Sequence, residues 1–112
     1  MYIKLDKEYE VKTTLGTIRE IEKAFGKSFF DTVASVGTMR LDEQIKLLYV
    51  GVKRANLDLT QEQFTNLCEE YLGIGDIMEY LEQYFYALQY PGLSQIEVQE
   101  RIQKKSQQGK IA

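Results

Sequence analysis

Apolar and polar residues alternate over the first twelve positions of the chain, which is typical of β structure. Two extended segments carry apolar side chains at alternate positions: Ile3, Leu5, Tyr9 and Val11. Residues 6–8 (DKE) between them predict the turn of a hairpin over about residues 2–12. Because a lone hairpin is only marginally stable in water, it must pack on other elements or pair with another chain.

After the hairpin, apolar residues recur every three or four positions, and polar residues predict where the resulting helices begin. Thr13 or Thr14 can cap a first helix, and Ser28 can cap a second. A third helix is predicted over residues 41–55. Residues 60–63 (TQEQ) fit a capping box, which predicts the start of a fourth.

The ends of these helices, and the last two helices, are predicted from glycine, proline and further capping residues. Gly26 suits the left-handed position after the first helix, and Gly37 is expected to end the second. Asp76 is expected to cap a fifth helix that runs to about Tyr90, before Pro91-Gly92. Ser94 with Glu97 predicts a weaker sixth helix, which contains Ile96, Val98 and Ile102.

The spacing of apolar residues assigns each helix a buried face. The first helix is expected to bury Leu15, Ile18, Ile21 and Phe25, the second Phe29, Phe30, Val33 and Val36, and the fourth Phe64, Leu67, Cys68 and Tyr71. The predicted fold is mainly α, a compact bundle of about five to six short helices with a short N-terminal β-hairpin. It forms a single domain over residues 1–102, and the polar residues 103–112 are expected to be a flexible tail.

The composition sets limits on the class of protein. A chain of 112 residues with 44% hydrophobic residues can build one modest core. A net charge of −3 argues against nucleic-acid binding through a broad basic face. No apolar run approaches the ~20 residues that cross a bilayer, and the N-terminus lacks the apolar stretch of a secretory signal. With a single cysteine as well, we expect a cytoplasmic protein without membrane contact.

No combination of residues points to catalysis, so we expect no enzyme activity, no catalytic residue, no metal and no cofactor. The chain has no histidine, and Cys68 is its only cysteine. We interpret Cys68 as a small buried hydrophobe and the helix carboxylates as solvated. Residues 73–75 (GIG) lack the third glycine and the preceding strand of a phosphate-binding loop.

The last two helices are the candidates for a partner-binding surface. At 100° per residue, Tyr86 and Tyr90 lie opposite the apolar face of the fifth helix, and tyrosine suits interfaces. The alternative is that they cover the sixth helix or are singly exposed. Ile96, Val98 and Ile102 form no clean stripe, so the sixth helix either docks on these tyrosines or binds a partner. Its basic residues could steer an acidic segment or be simply solvated.

The order of these signals resembles that of the tail assembly chaperones of long-tailed bacteriophages and related prophage elements. The segments that carry the resemblance are residues 11–14 (VKTT), 18–28 (IREIEKAFGKS), 47–52 (LLYVGV), 59–64 (LTQEQF) and 75–78 (GDIM). They extend over about residues 3–90, and it is their order that is specific.

The resemblance implies a non-catalytic chaperone that binds the tape measure protein while the tail tube polymerises around it. It also implies a cytoplasmic location in a bacterial host and absence from the mature virion, and it allows self-association. Many such systems make a longer product by ribosomal frameshifting, and Gly109-Lys110 is compatible with a slippery codon pair. From the residues alone, the partner surface consists of Tyr86, Tyr90, Ile96, Val98 and Ile102. The alternative function is a small helical adaptor or regulator unrelated to phage assembly.

Overall fold

The described part of the chain folds into six α-helices preceded by a two-stranded hairpin, as predicted. The computed structural model describes the backbone of residues 1–111 and the side chains of residues 1–104. The elements are β1 (Tyr2–Lys4), β2 (Glu8–Glu10), α1 (Leu15–Phe25), α2 (Phe29–Ser35), a 3₁₀ turn (Val36–Thr38), α3 (Leu41–Ala55), α4 (Gln61–Tyr71), α5 (Ile74–Gln89) and α6 (Gln95–Ile111).

The hairpin is antiparallel, and one of its faces lies on the helices. Ile3 pairs with Tyr9 at its centre. The alternate apolar residues of both segments are buried, as the pattern predicts. The chain after β2 is tied to α3, because the Lys12 amide donates to the Gly51 carbonyl at 3.0 Å. The hairpin is therefore part of the core and not an appendage.

Side-chain caps define where the helices begin. Thr14 accepts from the Thr17 amide, and Ser28 accepts from the Asp31 amide. Thr60 and Gln63 form the reciprocal capping box that the sequence predicts. Gly26, with φ 67°, ends α1 in the left-handed conformation that glycine adopts without strain.

Two predicted helix boundaries are wrong by a few residues. Asp76 is not the N-cap of α5: the helix begins at Ile74, and the Asp76 carboxylate reaches back to accept from the Gly73 amide at 2.8 Å. An acidic residue at the third helical position accepts from the backbone amide of the N-cap residue, which is one half of a capping box. Gly37 does not end α2, because the last turn tightens into the 3₁₀ geometry from Val36.

The core lies between the inner face of the hairpin and helices α3 and α5. Its largest fully buried side chains include Tyr84, Phe64, Ile3, Ile21, Leu47, Leu48 and Leu81. Phe29 of α2 packs edge-to-face on Phe85 of α5, with ring centroids 6.1 Å apart. These contacts join the N-terminal helices to α5.

Three residues that were assigned to buried faces are exposed. Leu15 is 77% exposed, Phe30 is 71% exposed and Tyr71 is 47% exposed. Phe29 and Phe30 are consecutive in a helix and point 100° apart, so the core accommodates only the first. Leu15 is the first residue of α1, where the helix has just begun and no element covers it. The apolar residues of α1 and α2 are thus not fully explained by the core.

The C-terminal helix extends further than the apolar pattern suggests, since α6 continues to Ile111. The side chains of residues 105–112 and the backbone of Ala112 lie outside the described residues. The predictions that concern them, a flexible tail over 103–112 and the Gly109-Lys110 pair, stay predictions.

Candidate partner-binding surface

The five residues proposed for partner binding all lie where α6 packs against α5, but they do not form one surface. Tyr86 and Tyr90 are at the end of α5, and Ile96, Val98 and Ile102 are on α6. Ile96 is 69% exposed, whereas Val98 is only 2% exposed. Residues two apart on a helix point in nearly opposite directions, so one of this pair faces the protein and the other faces solvent.

Val98 is the residue that fastens α6. It is the fully buried side chain among those described on this helix. With Ala87 and Leu93 it lines a small cavity of about 60 Å³. As long as α6 stays docked, Val98 offers no surface to a partner, so its assignment to a partner-binding surface stays a prediction that requires α6 to move.

Ile102 is half-buried, at the border of an open groove. The groove also borders Glu79, Glu82 and Gln83 of α5. An apolar side chain beside two carboxylates suits an amphipathic partner better than a purely apolar one. Ile102 therefore remains a candidate contact.

The two tyrosines differ in their surroundings. Tyr90 is 45% exposed, and the Arg101 guanidinium carbon lies 4.8 Å from the centre of its ring. This cation–π contact is worth about 0.5–1 kcal/mol at an exposed site, so it links α6 to α5 without locking it. Tyr86 is half-buried and makes contacts of its own. Tyr90 thus contacts α6 through Arg101, as one of the alternatives expects, but almost half of its surface remains exposed.

Polar contacts complete the attachment of α6. Ser94 accepts from the Glu97 amide at 3.2 Å and caps the helix. The Gln95 carboxamide donates to the Gln83 side-chain oxygen at 2.8 Å. Within the described residues of α6, one buried valine, a cap and a few exposed or part-buried polar contacts form a weaker attachment than the apolar packing of α3 or α5.

The structure also exposes apolar side chains that the sequence did not assign to a surface. Among the large ones are Phe30, Leu57 and Ile74. Phe30 keeps an edge-to-face contact with Phe29 at 5.5 Å between ring centroids, and the rest of its ring is open to solvent. The pair of consecutive phenylalanines was the available signal, because both cannot face one core.

The buried titratable groups are held in their neutral forms. Burial raises the pKa of the Cys68 thiol to about 12, and the Glu69 charge adds a smaller contribution. Burial also raises the pKa of Tyr84, partly offset by the Gly51 backbone and the Arg54 charge. A thiol with so high a pKa carries very little thiolate near neutral pH and is a poor nucleophile.

Within the described residues, no group of three or more His, Cys, Asp or Glu side chains is placed to hold a metal ion. None of the described helices is long and apolar enough to cross a membrane.

Comparisons of the chain with models of protein families, with curated proteins and with solved structures found no match. What the chain does is therefore proposed from its residues and their arrangement.

Proposed function

We propose that this protein is a tail assembly chaperone that binds the tape measure protein during phage or prophage tail assembly. The support is the ordered series of sequence signals over about residues 3–90, which resembles that family. The proposed chaperone is non-catalytic, acts in the cytoplasm of a bacterial host and is absent from the finished virion.

The observation that carries the binding mode is the weak attachment of α6. A tape measure protein is long and largely helical, and its apolar stripes need a reversible cover before the tail tube encloses them. A helix whose described part fully buries one side chain and exposes Ile96 can rearrange at small cost to meet such a stripe. Tyr90, Ile96 and Ile102 are the proposed contacts, and Tyr86 and Val98 become contacts if α6 moves.

Gene order gives the first test of the proposal. A chaperone gene should follow a tail tube gene, overlap a second reading frame and precede a very long gene rich in helical repeats. A different neighbourhood would favour the alternative, a small helical adaptor or regulator.

The direct test is co-expression with the tape measure protein of the same genome. The native chain should keep that protein soluble and co-purify with it. Substituting Tyr90→Glu together with Ile96→Glu should lower the affinity by about tenfold or more, because charges would replace two exposed apolar anchors. Leu57→Glu is the matched control, since Leu57 is 80% exposed on the α3–α4 connection.

The proposed surface is wrong if the double variant binds as tightly as the control while both remain folded. The proposed function is wrong if the native chain neither binds the tape measure protein nor changes its solubility.

A further inference from the structure

The outer edge of β1 presents backbone groups that no strand covers. The Val11 amide donates to the Met1 carbonyl at 2.7 Å, and the Leu5 amide donates to the Lys7 carbonyl at 2.9 Å. These bonds show that the backbone groups of Met1 and Leu5, and by alternation those of Ile3 between them, face the second segment of the hairpin. Because facing directions alternate along a strand, the amide and carbonyl groups of Tyr2 and Lys4 point away from the hairpin.

Side chains, and not another strand, occupy this edge. The Tyr2 amide donates to the Gln95 side-chain oxygen at 3.4 Å, and the Gln95 side-chain nitrogen donates to the Tyr2 carbonyl, also at 3.4 Å. The Lys4 amide donates to the Tyr80 hydroxyl at 3.2 Å. A carboxamide has one kind of donor and one kind of acceptor, as a backbone does, so the Gln95 side chain takes the place of the N–H and C=O that one residue of a third strand would direct at Tyr2.

The hydrogen bonds between Gln95 and Tyr2 are long. Typical N–H···O bonds have a heavy-atom distance of about 2.9 Å and weaken as they lengthen. A peptide backbone at the usual strand spacing could form shorter bonds with the same groups. The Gln95 carboxamide, which covers the edge of β1 at Tyr2, can therefore be replaced by an extended chain.

Beside this edge lies an open cleft of about 490 Å³ between β1, α5 and α6. Two carboxylates, Asp76 and Glu79, and one ammonium group, Lys4, are among its lining residues. The cleft is thus weakly acidic. A backbone in the cleft would have its side chains close to these carboxylates, which favours basic residues.

We propose that an extended peptide segment with basic side chains at alternate positions adds to β1 as a third strand in this cleft, replacing the Gln95 carboxamide. Main-chain hydrogen bonds to Tyr2 and Lys4 provide the affinity, and the carboxylates of Asp76 and Glu79 select the charge. The cleft shares Glu79 with the groove beside Ile102, but its main contacts are the backbone groups of Tyr2 and Lys4, so strand addition and helix binding can be tested independently. Gln95 belongs to α6, and movement of α6 would uncover the edge.

The test is a titration of the full ¹⁵N-labelled chain with a capped hexapeptide of alternating lysine and valine. Binding should shift the backbone amide signals of Tyr2 and Lys4 and the side-chain amide of Gln95, and it should slow hydrogen exchange at the two backbone amides. Two control peptides carry N-methyl groups on one or the other alternate set of backbone nitrogens. One of them should lose binding, because it lacks the donors that face β1. If both bind as well as the parent, the association is only electrostatic and strand addition is wrong.

Substitutions of the residues that line the edge of β1 and the cleft give a second test. Gln95→Ala removes the competing carboxamide and should tighten peptide binding by about two- to tenfold, the value of one or two weak hydrogen bonds. Gln99→Ala, in the same cleft, is the matched control and should leave the affinity unchanged. Glu79→Gln should weaken binding of the lysine peptide. Unchanged or weaker binding by Gln95→Ala, with α6 still helical, would show that Gln95 is not a displaceable cover.

A second variant tests the same proposal without changing a residue of α6. Tyr80→Phe removes only the hydroxyl that accepts from the Lys4 amide and leaves α6 untouched. It should also tighten binding, and its failure to do so would overturn the proposal even if Gln95→Ala destabilises α6.

Discussion

At the scale of single residues, Gly51 lies where the hairpin, α3 and α5 pack closely together. A Cβ atom placed on Gly51 would lie 2.7 Å from Val11 Cγ1 and 2.9 Å from Tyr84 Cε1. Tyr84 is fully buried, and Val11 is 2% exposed, so neither side chain can move aside. The absence of a side chain at Gly51 is what lets the hairpin, α3 and α5 meet.

We expect Gly51→Ala to destabilise the protein by about 1–3 kcal/mol, the usual cost of overpacking a core. The direction of this change in stability is informative, because in an open helix interior alanine is about 1 kcal/mol more favourable than glycine, so helix propensity alone would make the variant more stable. Gly75→Ala in α5 is the control: nothing lies within 4 Å of its Cβ position, so it should be neutral or stabilising. Urea denaturation of both variants measures the difference, and a stabilised Gly51→Ala would contradict the packing described.

Two buried side chains that can lose a proton, Cys68 and Tyr49, lead to a prediction about how stability depends on pH. Burial raises the pKa of Cys68 from an ordinary value of 9.0 to about 12, and it raises the pKa of Tyr49 above 10.0. The unfolded chain therefore loses these protons first as the pH rises. Their contribution to stability is complete below about pH 9 and is lost progressively toward pH 12.

The free energy of unfolding should thus be level near pH 7–8 and fall from about pH 9 upward. Urea midpoints at pH 7, 8.5, 9.5 and 10.5 measure it. Cys68→Ala should lower stability at every pH but flatten the fall that begins near pH 9. A midpoint that rises over this range would refute the assignment of Cys68 and Tyr49 as neutral buried groups.

At the scale of elements, the sequence predicts local features better than buried faces. The caps of Thr14, Ser28 and Thr60 depend on residues only three positions away, so their patterns are complete within the sequence. Which of Phe29 and Phe30 is buried depends on where α5 lies, and the local pattern contains no such information. Asp76 is a capping residue, but it accepts from the Gly73 amide behind it, whereas an N-cap accepts from amides two or three residues ahead. A carboxylate suits both positions near a helix start, so the local pattern does not choose between them.

The capping box of α4 gives a prediction for this scale. Thr60→Ala removes the hydroxyl that accepts from the Gln63 amide at 3.1 Å and should cost about 1 kcal/mol. Thr65→Ala in the same helix is the control, since alanine has the higher helix propensity and the Thr65 hydroxyl only bonds back to the Gln61 carbonyl. Thermal denaturation followed by circular dichroism should separate the two, and equal midpoints would show that the cap does not matter.

At the scale of the whole molecule, α6 lies outside the main core. The core cluster extends from Ile3 to Leu88, and none of its described members belongs to α6. The sequence suggested a loosely patterned helix here, and that expectation agrees with a helix attached mainly through Val98. The spacing places Val98 and Ile102, four residues apart, on one face and Ile96 on another, but which face packs on α5 depends on tertiary packing that the local pattern does not contain.

The separation predicts that the chain folds without α6. A protein that ends at Leu93 should unfold in one cooperative transition, with a stability lowered by about 1.5–3 kcal/mol, the value of burying one valine-sized side chain. Its near-ultraviolet circular dichroism should remain, because the buried aromatic residues of the core precede α6. Val98→Ala in the full chain is the companion variant and should give part of the same loss while Ile96→Ala gives almost none. If the shortened chain loses its cooperative transition, α6 is an integral part of the core, and a mode of partner binding that needs it to move becomes untenable.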